Sequence, residues 1–181
     1  MYRYAALLRG ITPSGANMTN DKLRGMFERL GLEQVGSVLA SGNIVFRSAE
    51  VDVPALEQRI EGALTRDLGI AGRTIIREVS ELRALVVSDP FPGLVHGRGS
   101  YLTATFLKDP ATAPDLIPAQ PGAPTQVVRY DKDARAVLAI TDNSFPGTTL
   151  DFMSWLEKSY GKDVTTRTWL SVQRIVKKLE S

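Results

Sequence analysis

The chain has 181 residues, of which 43% are apolar and 23% charged, an ordinary balance for one globular domain or two small ones. Its 22 basic and 20 acidic residues leave a net charge of +2, which argues neither for nor strongly against nucleic acid. The absence of cysteine excludes disulfides, thiolate nucleophiles and zinc–cysteine sites. No leader-like pattern opens the chain, and no apolar run approaches the roughly 20 residues of a membrane span. We therefore expect a cytoplasmic protein with no membrane partner.

The first half of the chain alternates strand and helix patterns. Tyr2 to Arg9 reads as a strand with apolar centres on both faces, so both faces should be covered. The patterns that follow are an amphipathic helix around Leu23–Leu30 capped by Thr19 or Asn20 and stopped by Gly31, strands Gln34–Ala40 and Asn43–Ser48 joined by a tight Ser41-Gly42 turn, a helix from Pro54 to Gly69, and a strand Arg73–Val79. This order predicts an α+β fold that begins with a ferredoxin-like (βαββαβ) plait, with residues 1–79 as its domain.

One edge of that predicted sheet collects polar and glycine residues, and we call it the rim. The first and third strands of such a plait are antiparallel neighbours, so the end of one meets the start of the other, beside the N-terminus of the first helix. The predicted members of the rim are Arg9, Gly10, Asn17, Ser41, Gly42 and Asn43. A guanidinium, two amides and free helix N–H groups could hold a phosphate or carboxylate. Each residue also has a structural interpretation: a charged strand end, a hairpin turn or a relaxed backbone.

Residues 80–181 predict a second domain, a looser α+β plait-like half with a C-terminal helix that docks on the body of the protein. Its predicted elements are a helix capped by Ser80 that ends before Pro90, a glycine-rich segment Phe91–Ser100, a strand Tyr101–Lys108, a short helix near Asp115–Ile117, a hairpin of Gln126–Tyr130 with Ala134–Thr141, a helix capped by Thr149 that ends at Gly161, and a final helix carrying Trp169, Val172, Val176 and Leu179 on one face. Thr165, Thr166 and Arg167 read as an N-cap segment of the final helix. If this tail folds over the rim, Arg167 supplies a second positive charge, whereas Trp169 reads first as a core residue.

Several motifs of the chain resemble those of one protein family. At LLRGI (Leu7–Ile11), Asn17, SGNIVF (Ser41–Phe46) and TTRTW (Thr165–Trp169), the chain resembles the uncharacterised bacterial DUF1697 family over essentially its full length. The resemblance implies a two-part protein built from ferredoxin-like plaits and brings no activity with it. The family pattern RGIN-V-GG-K-N is altered by Thr12, Pro13, Ser14 and Ala16, and TTRNWN becomes TTRTWL through Thr168 and Leu170. Those changes remove amides and a lysine, so a ligand held by them in relatives would be bound weakly or replaced here.

Other chemistry-bearing patterns are few. His96 is the only histidine, which excludes a histidine triad or a three-histidine zinc site, and its glycine-rich surroundings predict a solvated loop residue. Asp131 and Asp133 fit a turn and lack the further ligands of a calcium loop. Glycine-rich nucleotide motifs are absent. We expect neither a metal nor a cofactor.

Four functional hypotheses remain open from the sequence. The leading one is a binding module for a small anionic ligand, bearing a phosphate or a nucleotide, in which the rim together with Arg167 and Trp169 forms the site. The second is a metal-independent enzyme acting on such a substrate, with an Asp, a Glu or His96 as proton acceptor. The third is RNA binding through Tyr2, Tyr4 and Phe46, which the predicted cover on both sheet faces disfavours. The fourth is a homodimeric interaction protein, so the chain is predicted to be a monomer or a homodimer.

Overall fold

The structure, a computed structural model, describes residues 1–109, 124–144 and 149–181. These residues form eight strands and five helices, in chain order β1 (Tyr2–Arg9), α1 (Asn20–Arg29), β2 (Glu33–Ser37), β3 (Asn43–Ser48), α2 (Val53–Leu68), β4 (Arg73–Glu78), α3 (Val79–Val87), β5 (Tyr101–Leu107), β6 (Thr125–Asp131), β7 (Ala136–Thr141), α4 (Thr149–Tyr160), β8 (Val164–Thr168) and α5 (Trp169–Glu180). They pack as two compact units, the first comprising Met1–Leu82 with Arg174–Ser181 and the second Arg83–Gln173. Whether 1–79 and 80–181 are separate folding domains stays a prediction.

The first unit contains a four-stranded sheet in the order β2-β3-β1-β4. All its neighbouring strands are antiparallel, and Leu7 of β1 lies opposite Asn43 of β3. This is the arrangement of a βαββαβ plait, so the predicted ferredoxin-like fold is confirmed. Ala5 and Leu7 are as fully buried as Ala6, which confirms that both faces of β1 are covered.

The two helices of this plait pack on one face of the sheet. Their apolar stripes, which include Phe27 of α1 and Ile60 of α2, form one core with Tyr4, Ala6 and Leu8 of β1. The helix boundaries follow local chemistry, since the Thr19 side chain accepts a hydrogen bond from the Lys22 N–H and Gly69 ends α2 in the left-handed conformation. Burial of the Tyr4 phenol raises its pKa, and its hydroxyl donates to the Glu50 carbonyl at 2.8 Å.

The outer edge of β4 is closed by carboxylates of α2. The Glu61 carboxylate accepts the Thr74 N–H, and the buried Glu57 carboxylate accepts the Ile76 N–H, each at 2.9 Å. An edge strand with free N–H groups invites pairing with another chain. The two glutamates therefore anchor α2 on the sheet and accept hydrogen bonds from N–H groups that β4 has no further strand to pair with.

Replacement of Glu61 by alanine should destabilise the first unit by about 1 kcal/mol, because the Thr74 N–H loses its acceptor at the sheet edge. Amide hydrogen exchange should show faster exchange at Thr74, and urea unfolding should give the loss of stability. Gln58→Ala, an exposed substitution on the same helix, is the matched control. Equal Thr74 exchange rates in the two variants would contradict the assigned role of Glu61.

The second unit repeats the strand order of the first. Its sheet runs β6-β7-β5-β8 with antiparallel neighbours, and α4 connects β7 to β8 as α2 connects β3 to β4. The predicted second α+β half is therefore confirmed as an antiparallel sheet with helices. The prediction that Thr165–Arg167 form an N-cap segment was wrong, because these residues lie in β8 and pair with β5. The Thr168 hydroxyl instead accepts the Ser171 N–H at 3.2 Å, where α5 begins.

The end of β2 and the start of α3 differ from the predicted boundaries. Strand β2 ends at Ser37 rather than Ala40, so residues 38–42 form a loop instead of a tight turn, with Leu39 at a φ of 60°. Ser80 lies inside α3, which follows β4 without a break. The predicted helix at Asp115–Ile117 lies outside the described residues, as does the side chain of the predicted cap Thr149.

Candidate functional site

The rim has the neighbourhood that the topology predicted. The Leu8 N–H at the end of β1 donates to the Gly42 carbonyl at 2.8 Å, which joins the first strand to the loop before β3. The start of α1 lies against the same loop, since the Asn20 side chain donates to the Leu39 carbonyl at 2.9 Å. The rim is therefore one contiguous part of the first unit.

The two rim amides are engaged within the protein. Asn43 is fully buried, and its side-chain nitrogen donates to the Val38 carbonyl and the Ser41 hydroxyl, each at 3.1 Å. Asn17 donates to the Leu68 carbonyl at 3.2 Å, and its amide oxygen accepts from the Lys22 ammonium at 2.6 Å. Both amides thus hold loops in place, and their contact with a ligand stays a prediction.

The remaining rim residues differ in exposure. Ser41 and Gly10 are exposed, Arg9 is half-buried, and Arg9 lies opposite Arg73 in the β1–β4 register. Gly42 is buried with a φ of 77°, and a Cβ there would lie 2.9 Å from Cγ1 of Ile11. Gly42 therefore serves the packing of the loop, while Arg9, Ser41 and Gly10, like the exposed Asn17, can reach solvent.

Arg167 and Trp169, the other predicted site residues, belong to the second unit. Arg167 is 9% exposed and donates to the Thr165 hydroxyl at 2.7 Å and the Thr166 carbonyl at 2.9 Å. Burial lowers its pKa to about 10, so the guanidinium is still protonated at neutral pH. Trp169 is buried and meets Phe91 edge-on at 5.3 Å between ring centroids. Both side chains have structural partners within the second unit.

Two other sequence candidates also have structural partners. His96 is half-buried rather than solvated, because its Nδ1 accepts the Leu102 N–H at 3.1 Å and its ring lies 4.7 Å from that of Tyr101. Tyr4 and Phe46, considered for base stacking, face the helices and lie in the core with ring centroids 5.7 Å apart. Their position leaves neither ring open for stacking on RNA.

The opposite face of the first sheet gathers arginines that the sequence did not single out. Residues paired across antiparallel strands project to the same face, and Arg3 of β1 lies opposite Arg47 of β3. Arg77 and Arg73 of β4 lie opposite Ala5 and Arg9 on that face. Arg3 and Arg9 are about 20 Å apart along β1, so cations occupy both ends of the face.

A cavity of about 240 Å³ lies at the Arg3 end, and we call it the basic pocket. The residues that line it are Arg3, Gln34, Val45, Phe46, Arg47, Lys178, Leu179 and Ser181, and none of their side chains is acidic. The Arg3 guanidinium donates to the Leu179 carbonyl in the last turn of α5 at 2.7 Å. The half-buried Arg47 side chain has no hydrogen-bond or ion-pair partner in the part of the chain that the structure describes.

The lack of a side chain at Gly36 leaves space for Lys178, the third basic residue of this pocket. A Cβ at Gly36 of β2 would lie 3.3 Å from Cε of Lys178, so the lysine stem crosses β2 where no side chain stands. Arg47 also borders a neighbouring cavity of about 430 Å³ that includes Glu33, Glu50 and Arg59. The neighbouring cavity carries both signs of charge, which makes the basic pocket the better place for an anion.

The described ranges hold neither a cluster of metal ligands nor a helix that could span a membrane. Residues 1–109, 124–144 and 149–181 contain no cluster of three or more His, Asp or Glu side chains placed to hold a metal ion. In the same ranges no helix combines the length and apolar character needed to cross a bilayer.

Fold and site together define a ferredoxin-like α+β protein with a basic pocket on its first plait. Residues 1–134 match the family described as "Protein of unknown function (DUF1697)", and the chain belongs to that family. The resemblance seen in its motifs is thereby confirmed. The chain is similar in structure to the conserved bacterial protein SP0830 from Streptococcus pneumoniae, with a TM-score of 0.74, 18% identity, and coverage of 100% of this chain and 99% of that one. At this identity the likeness shows the fold alone. No curated protein matches the chain.

Proposed function

We propose that this protein is a binding module for a small phosphate-bearing ligand, held in the basic pocket by Arg3, Arg47 and Lys178. The observation that carries the proposal is a cavity lined by three basic side chains and no acidic one, in which Arg47 has no partner among the described residues. Like charges held close together raise the free energy of the empty pocket, and an anion between them lowers it. The proposal thus keeps the ligand class expected from the sequence and moves its centre away from the rim.

The pocket's donors favour phosphate over a monocarboxylate. A guanidinium offers parallel N–H groups that match two phosphate oxygens, and an ammonium adds a point charge from a third direction. The cavity volume of about 240 Å³ lies just below the range of about 300–1,000 Å³ typical of small-molecule sites. A phosphorylated metabolite of modest size fits these limits better than a large cofactor.

The lining supports binding rather than catalysis. An enzyme acting on the ligand needs a general base within about 3 Å of the reacting proton. No side chain that lines the basic pocket is a carboxylate or an imidazole. The enzymatic alternative therefore lacks a side chain that could act as general base in this pocket.

Isothermal titration at low salt tests the proposal, because the Debye length grows to about 30 Å at 0.01 M and pocket charges then act at full strength. Inorganic phosphate, pyrophosphate, sugar phosphates and nucleoside monophosphates form the panel, with acetate and chloride as controls. We expect saturable one-to-one binding of phosphate compounds that weakens as salt rises. No heat with any phosphate compound would overturn the proposal.

The same titration separates the basic pocket from the rim. If the rim holds the ligand through Arg9, Ser41 and the Gly10 backbone, Arg9→Ala abolishes binding and Arg47→Ala leaves it unchanged. We propose instead that Arg47→Ala abolishes binding and Arg9→Ala leaves it unchanged.

Light scattering of the same samples decides between a monomer and a homodimer. A cytoplasmic location belongs to the proposal and is supported by the absence of cysteine.

A further inference from the structure

The walls of the basic pocket come from two separate parts of the chain. Arg3 and Arg47 belong to the central strands of the first sheet, whereas Lys178 and Leu179 belong to the last turn of α5. An anion seated among these residues touches the sheet and the helix end at once. The contribution of Lys178 to its binding energy is therefore available only when the helix end lies on the sheet.

The helix end is held by buried apolar side chains, among them Ile175 and Val176, and by a hydrogen bond from Arg3. The Arg3 guanidinium donates to the Leu179 carbonyl at 2.7 Å, where the negative end of the helix dipole favours a cation. The Leu179 side chain is buried, and the Lys178 stem lies over Gly36. An anion held between Lys178 and the two arginines would add a further link between the helix end and the sheet.

We infer that an anion in the basic pocket fastens the last turn of α5 to the first sheet, so that ligand binding and docking of residues 174–181 form one linked equilibrium. This inference rests on the proposed function and adds a regulation to it. Binding strengthens docking, and by reciprocity a looser helix end weakens binding. The helix end thus reports whether the pocket is occupied.

Hydrogen exchange of the full chain tests the linkage, with inorganic phosphate as the probe. If phosphate binds only the docked state, local opening of the helix end is suppressed by a factor of one plus the ratio of phosphate to Kd, or about 11 at ten times Kd. We expect amides of residues 174–181 to exchange about tenfold more slowly under that condition. Amides of the loop 10–17, at the opposite end of β1, should keep their rates.

Variants of Lys178 provide the matched controls, since this side chain is exposed and its loss leaves the core intact. Lys178→Ala should remove most of the phosphate-induced slowing, and Lys178→Arg should restore it. A saturable binding heat without slower exchange in residues 174–181 would overturn the linkage while leaving the proposed function intact. Equal slowing in Lys178→Ala would overturn Lys178 as the residue through which the anion fastens the helix end. Absence of both heat and slowing would overturn the proposed function, and the linkage with it.

Discussion

Arg47→Ala is expected to weaken the binding of inorganic phosphate about tenfold or more. Hydrogen bonds to charged groups contribute about 1.5–3 kcal/mol, and each 1.4 kcal/mol is a factor of about ten in Kd. Arg47 is the cleanest choice in the basic pocket, because its side chain has no partner among the described residues, whereas Arg3 also holds the Leu179 carbonyl. Its removal should change affinity and leave the urea midpoint nearly unchanged. Titration calorimetry at low salt measures the effect.

Arg66→Ala serves as the charge-matched control for this experiment. Arg66 is an exposed arginine of α2 that pairs with Asp67 at 2.7 Å, so its loss lowers the net charge equally without touching the pocket. If both variants lose affinity to the same extent, the attraction is a property of net charge and not of the pocket. If Arg47→Ala binds as tightly as the unaltered protein, the basic pocket is not the binding site.

Gly42→Ala is expected to destabilise the first unit by about 2–4 kcal/mol. A side chain at the left-handed φ of 77° costs about 1 kcal/mol or slightly more. The added Cβ would also lie 2.9 Å from Cγ1 of Ile11 and 3.1 Å from Cβ of Leu8, a crowding that typically costs about 1–3 kcal/mol. Urea unfolding followed by circular dichroism measures the sum.

Gly10→Ala separates the two contributions to that loss. Gly10 also has a positive φ, of 84°, but a Cβ there would meet no atom within 4 Å. Gly10→Ala should therefore lower the free energy of unfolding only by the backbone strain, about 1–2 kcal/mol. The difference between the two variants measures crowding in the loop before β3. Equal losses would contradict the close packing of Gly42 against Ile11.

The plait was predictable from sequence because its signals are local. Apolar spacing fixed α1 and α2, and Thr19, Pro54 and Gly69 marked their ends through well-defined capping chemistry. Two apolar faces on β1 correctly indicated a strand covered on both sides. The meeting of Leu8 with Gly42 then followed from topology alone.

The errors arose where tertiary pairing overrides local preference. Thr165–Arg167 have the residue types of a helix cap, but pairing with β5 draws them into β8, a strand that threonine suits equally well. The Ser41-Gly42 pair suggested a two-residue turn, and the hydrogen bonds of the buried Asn43 side chain instead organise a longer loop.

The basic pocket was missed because its parts are far apart in the sequence. Arg3 and Arg47 become neighbours only through the pairing register of β1 and β3. Lys178 joins them through the docking of α5. One signal was available, because each arginine lies next to aromatic or aliphatic residues of a buried strand. Combined with the predicted pairing of β1 and β3, that signal could have placed the two guanidinium groups side by side.

The repeat of architecture extends to a buried arginine in each sheet. Arg77 of β4 lies opposite Ala5 of β1, and Arg167 of β8 lies opposite Ala104 of β5. Each guanidinium donates to the carbonyl of the residue before it, at 2.8 Å and 2.9 Å respectively. The matching positions give Arg167 a structural role in the second unit like that of Arg77 in the first, and its predicted contact with a ligand stays a prediction.

A titration with inorganic phosphate followed by ¹H–¹⁵N NMR tests the central claim most directly, because it locates the anion without altering any residue. Saturable shifts should centre on the amides of Gly36, Arg47 and Lys178, with residues 10–17 unmoved. Shifts confined to Arg9, Gly10 and the loop 38–42, or none at any phosphate concentration, would contradict a phosphate site in the basic pocket.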